Sequence, residues 1–128
     1  MKKILLFSII LIIIFIYFVP KYNELNNITI IDSIGVKKEN NYYKVYFREV
    51  IPTKVDNGLK YTYKIHSIKT NKLKDSISLI EKKHNKKLYL NKVKSLITNY
   101  SSEYIKIKLN INPKYIHHTD NVYSVIQE

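Results

Sequence analysis

Sixteen consecutive residues, Ile4 to Val19 (ILLFSIILIIIFIYFV), are apolar apart from Ser8, with Lys2 and Lys3 before them and Pro20 and Lys21 after. A helix made of such a run has no polar face, so it cannot lie half-buried on the core of a small protein. The run limits what the rest of the chain can be. As a helix it is about 24 Å long, short of a hydrocarbon core of about 30 Å. Extension over Met1 to Lys3 and over Pro20 to Tyr22, with the lysine stems snorkelling and Tyr17 and Tyr22 at the interface, makes a single span the expectation.

A signal peptide would end on small residues at its cleavage site. Here the run closes as IYFVPKY, and the chain has no cysteine to carry a lipid. The expectation is an uncleaved anchor formed by Ile4, Leu5, Leu6, Phe7, Ile9, Ile10, Leu11, Ile12, Ile13, Ile14, Phe15, Ile16, Tyr17, Phe18 and Val19. Lys2 and Lys3 outweigh Lys21, which Glu24 offsets. The positive-inside rule therefore keeps the amino end cytoplasmic and exports the remainder. The expected division is residues 1–22 as anchor and 23–128 as one small extracytoplasmic domain, with no room for a second.

The chain of 128 residues carries a net charge of +12, from 22 basic and 10 acidic residues. That excess suits a polyanion: teichoic acid, anionic lipid or nucleic acid. Only Arg48 is an arginine, however, while Ile, Asn, Lys and Tyr abound and alanine is absent. An AT-rich coding sequence produces the same bias, and nucleic-acid readers favour arginine for bidentate contacts. Specific nucleic-acid binding is not expected. The lack of cysteine excludes disulfides, zinc-thiolate sites and thiol catalysis.

Beyond the polar linker Lys21 to Asn27, Ile28 to Val36 is β-branched and reads as a central strand, with Gly35 marking a bulge or a close backbone approach. KKENN turns the chain into Tyr42 to Ile51. There Tyr43, Val45, Phe47 and Ile51 alternate toward the core, against Lys44, Tyr46 and Arg48. Pro52 is expected to end this strand, and Asp56-Asn57-Gly58 supplies a turn. Tyr61 to Lys69 alternates again, with Tyr61, Tyr63 and Ile65 inward and Lys64 and His66 outward.

The period changes after Thr70 or Asn71, the expected N-cap. Leu73, Ile77, Ile80 and His84 recur at helical spacing, predicting one amphipathic helix of about four turns. Leu88 to Thr98 returns as a strand and completes a crossover. Tyr104 to Asn112 (YIKIKLNIN) alternates throughout, with Ile105, Ile107, Leu109 and Ile111 on one face, and predicts a further strand. The tail reads as a last short strand over Val122 to Ile126 or as frayed chain. The expected fold is α+β: a transmembrane helix, then a small mixed sheet, meander plus crossover, packed by one amphipathic helix.

Little in the chain points to catalysis. No nucleophile elbow, P-loop, zincin or dinucleotide motif is present, and the acidic residues are scattered. His117, His118 and Asp120 are metal-ligating types, but adjacent strand histidines point to opposite faces and the spacing is not that of a ligand set, so a solvated loop is expected. His66 is expected on an exposed sheet face and His84 at a helix end near lysines. Tyr42 and Tyr46 are candidates for an aromatic contact surface. No enzyme activity, metal or cofactor is expected.

Read in order, ELNNITIIDSIGVKKENNYYKVYFREVIP, a turn, a helix and KKLYLNKVKSLIT resemble the N-terminal domain of the GerAC family, the C subunits of spore germinant receptors. Glu24, Leu25, Ile34, Gly35, Tyr43, Val45, Pro52, Leu88 and Tyr89 carry the resemblance, which runs from about Glu24 to Thr98. The chain departs from the family pattern at Lys37, where an aspartate is usual, at Lys92, where a histidine is usual, and in having no cysteine to carry a lipid; its length is expected to leave no room for the family's two further domains. The resemblance implies a non-catalytic, extracytoplasmic receptor component that works with a multi-span membrane protein. The alternative from composition is a cell-surface polyanion-binding module.

Overall fold

The computed structural model describes residues 2–18 and 28–127. The first element, α1, is a helix over Lys2–Phe18. Its one mid-helix hydroxyl, Ser8 Oγ, donates to the carbonyl of Ile4 at 2.9 Å, so it adds no unsatisfied polar group. No helix among the described residues is long and apolar enough to cross a membrane, which overturns the expected transmembrane helix. The physical reason is length. α1 has 17 residues and spends two of them on Lys2 and Lys3, so its apolar part rises only about 22 Å, against about 30 Å of hydrocarbon. Val19, the linker Lys21 to Asn27 and with it Glu24 and Leu25 lie outside the described residues.

The rest of the described chain is built on β1 (Ile28–Lys38), β2 (Tyr43–Val55) and β3 (Gly58–Thr70). They form an antiparallel meander in the order β3-β2-β1, with β1 central as expected. A one-residue bulge interrupts β1 between Ile31 and Ser33. It sets Ile31 and Ile34, three residues apart, on the same buried face and turns Asp32 toward the other. Pro52 does not end β2. It lies inside the strand opposite Tyr61, and the ladder runs on to Val55 and Gly58 across a two-residue turn. Gly58 has φ of 135°, a conformation that favours glycine.

A single turn of 3₁₀ helix (Leu73–Asp75) leads into α2 (Ser76–His84), shorter than the four turns expected. Thr70 Oγ1 accepts from the Lys72 amide and donates to its carbonyl, closing the turn before it. The expected long strand Leu88 to Thr98 is two short ones, β4 (Lys87–Tyr89) and β5 (Ser95–Thr98), both parallel to β1. With α2 between β3 and β4, this is the expected crossover.

The expected strand Tyr104 to Asn112 is a helix, α3 (Ser102–Leu109). Ser101 caps it by accepting the Tyr104 amide, and Asn110 ends it in the left-handed conformation. Ile105 and Leu109, four apart, are its buried pair, while Ile107, which alternation would also bury, is 75 % exposed. Ser101→Ala should cost about 0.5–1 kcal/mol, read as a lower urea midpoint with an unchanged slope.

β6 (Tyr115–His118) then pairs parallel to β5, giving a six-stranded sheet ordered β3-β2-β1-β5-β6 with β4 beside β1. The tail is neither strand nor frayed: α4 (Val122–Gln127) closes the described chain. One sheet face packs Ile31, Ile34, Val36, Val45, Phe47 and Leu96 against Leu73, Ile80, Ile105 and Leu109 from the α2 and α3 segments. The opposite face packs Tyr46 and Ile97 against Val122 and Ile126 of α4. The single packing helix of the expectation is therefore three helices on two faces. Two-sided cover explains why β1 reads as a nearly continuous apolar run.

Candidate functional site

α4 covers only part of its sheet face. Beyond it the β2–β3 hairpin continues as a long arm, and an open cleft of about 430 Å³ lies between that arm and the Lys92–Lys94 segment. Ile30 of β1, Val50 and Pro52 of β2 and Tyr61 and Tyr63 of β3 line it from the sheet, and Lys92 and Lys94 line it from the segment between β4 and β5. Neither lysine has an acidic partner within ion-pair distance among the described residues.

Arg48, the sole arginine, organises the inner end of this cleft. Its Nε and Nη2 donate to the two carboxylate oxygens of Asp32 at 2.9 and 2.7 Å, a bidentate pair. Nη1 donates to the carbonyl of Ile126 near the end of α4 at 3.3 Å. The guanidinium also stacks over Tyr63, 4.5 Å from the ring centre. One side chain thus joins the bulge of β1, the arm and α4. Hydrogen bonding to Asp32 raises the Arg48 pKa further, so the guanidinium stays charged throughout the stable range.

On the other sheet face His66 is buried, not exposed as expected. It stands opposite Phe47 in the ladder, on the core face. Its Nε2 lies 2.8 Å from Glu49 Oε1 and its Nδ1 lies 3.2 Å from Nε2 of His84, in the last turn of α2. Desolvation lowers the His84 pKa, with His66, Lys83 and Lys64 acting in the same direction.

The residues carrying the family resemblance fall into two groups. Ile34, Tyr43 and Val45 belong to the main core, and Leu88 of β4 packs against it half-buried. Gly35 sits under α4, Pro52 lines the cleft, and Tyr89 is exposed. Tyr43 forms an edge-to-face chain with Tyr100 and Tyr104, capped by the Lys38 ammonium 4.2 Å above its ring. Burial, followed by the Tyr104 phenol, pushes its pKa up to about 12.

His117 and His118 lie on β6, exposed, rather than in a loop, and Asp120 follows the strand. No group of three or more metal-ligating side chains occurs among the described residues. Tyr46 is buried against Tyr123 and Tyr42 is half-buried, whereas Tyr61 and Tyr63 are among the exposed aromatics. Sequence reasoning missed the Asp32–Arg48 pair and the His66–His84 contact. The first had one signal, a lone arginine in a lysine-biased chain.

Comparison with curated proteins and with solved structures finds no match. Comparison with protein families matches residues 21–101 to the spore germination protein N-terminal domain. The match takes in β1 to β5 and stops at the Ser101 cap, so α3, β6 and α4 lie beyond it. Residues 21–101 are well over half of the chain, and with that the chain belongs to the GerAC family of spore germination proteins through its N-terminal domain, which gives it a role related to the germinant receptor.

Proposed function

We propose that this chain is a non-catalytic component of a spore germinant receptor complex, held at the membrane on the extracytoplasmic side and bound laterally to a multi-span subunit. The family match carries this reading. The division into an apolar segment over residues 1–22 and one domain over 23–128 is part of it. Membrane contact falls to the apolar run from Ile4 onward, without crossing. From Ile4 to Phe15 its large apolar side chains are all exposed, and such surface avoids water. Contact with the partner falls to the cleft and the arm, where Ile30, Leu59, Tyr61 and Tyr63 leave apolar and aromatic surface uncovered beside two lysines.

The test is affinity capture of the tagged full chain from spore membranes in detergent, with stepwise salt. The expected result is a polytopic membrane protein that stays bound through about 0.5 M salt, where screening lengths fall to a few ångströms. Tyr61→Ser/Tyr63→Ser should release it while leaving the chain in the membrane fraction. Retention that disappears at moderate salt, with no membrane protein captured, would instead mark the +12 chain as a polyanion binder.

A further inference from the structure

We infer that His66 and His84 form a two-nitrogen site for a divalent zinc ion, with Glu49 as the carboxylate that orients His66. This inference does not depend on the receptor reading. Two imidazole nitrogens bound to one tetrahedral zinc at about 2.0–2.1 Å stand about 3.3 Å apart. His66 Nδ1 and His84 Nε2 are 3.2 Å apart. The backbone already supplies that separation, one nitrogen from the sheet and one from the last turn of α2.

The partner on the far side of His66 matters equally. Glu49 Oε1 lies 2.8 Å from His66 Nε2, and a carboxylate there keeps the proton on Nε2. That leaves the Nδ1 lone pair directed at His84. Metal-ligating histidines nearly always donate their other ring N–H in this way. Without metal, His84 Nε2–H fills the lone pair by hydrogen bonding. When zinc binds, the His84 proton moves from Nε2 to Nδ1 through solvent, and two neutral imidazoles coordinate with no net release of protons. The rings, now edge to face at 64°, reorient toward the ion; exposed His84 is free to turn. Water completes the coordination, because no third protein ligand is present among the described residues. The bound ion would clamp the end of α2 to β3.

The experiment is zinc titration of the full chain in detergent by calorimetry, using His117→Ala/His118→Ala as the reference to remove the exposed β6 histidines. One zinc per chain is expected, with binding retained in that reference and lost on adding His84→Ala. Glu49→Gln should weaken it about 10–100-fold. Imidazole ¹⁵N spectra, which also report whether each variant is folded, should show Nδ1 of His66 and Nε2 of His84 as the coordinated nitrogens. Affinity unchanged by His84→Ala, loss of all binding in the reference, or no binding up to about 1 mM zinc, equivalent to about 4 kcal/mol, would overturn the site.

Discussion

Gly35→Ala should destabilise the domain by about 1–3 kcal/mol, the range for overpacking a close-packed site. A Cβ built on Gly35 would lie 2.6 Å from Val122 Cγ1, closer than carbon atoms approach. The obstacle is a β-branched side chain with little rotamer freedom, and it belongs to a helix of six residues. The relief available is movement of α4 off the sheet. That movement would uncover Tyr46 and Ile97 and pull the Ile126 carbonyl from Arg48. The expected readout is a lower urea midpoint together with faster amide exchange in α4. Gly35→Ala/Val122→Ala removes the clashing methyl and should recover most of the loss, giving a coupling energy of 1 kcal/mol or more, on the order seen for contacting pairs. Additive effects in that cycle would mean that α4 does not rest on Gly35.

Gly35 also illustrates which features a chain displays in its own sequence. An isolated glycine in a β-branched run points to a close backbone approach, and the approach is there, but the element that makes it reads in the sequence as strand or frayed chain. Helix α4 is too short for periodicity to reveal it. Only the sheet, by leaving Tyr46 and Ile97 uncovered, gives it a reason to form. The segment Tyr104 to Asn112 misleads for a different reason. Ile105 and Leu109 satisfy both a two-residue and a four-residue spacing, and Ile107 made alternation look complete. Local chemistry held the answer, since Ser101 is an N-cap type and Asn110 tolerates the left-handed end.

His66 was legible by counting. A two-residue turn at Asp56-Asn57 pairs Val55 with Gly58 and, followed back along the ladder, Phe47 with His66. Phe47 was expected in the core, so its cross-strand neighbour had to share that face. The alternation within β3 taken alone favours the tyrosines instead, because they are the larger and more apolar set. The apolar run at the amino end is a helix, as expected, but the expected span draws on Met1 and on Pro20 to Tyr22, which lie outside the described residues. The described helix covers Lys2–Phe18. The cleft was not legible at all, since it arises where a bulge, a long arm and a short helix leave one face half covered.

The Asp32–Arg48 pair is the second place where one substitution should have a large effect. Both side chains are 18 % exposed, between surface pairs worth about 0–1 kcal/mol and buried pairs whose breaking costs about 3–5 kcal/mol. Arg48→Met should therefore cost about 2 kcal/mol, leaving the Asp32 carboxylate partly desolvated without a partner and removing the cap on the Ile126 carbonyl. Arg48→Lys keeps the charge but cannot reach both oxygens of Asp32 and Ile126 together, so it should recover less than half of the loss. Removing both charges in Arg48→Met/Asp32→Leu should be milder than Arg48→Met alone, because it is the stranded carboxylate that is costly. The same series separates architecture from contact. If Arg48 serves only to brace α4 and the arm, partner capture should follow stability across the variants. If the cleft it borders is the docking surface, Arg48→Met should release the partner at temperatures where the domain is still folded, because Tyr63 loses the cation that fixes its ring.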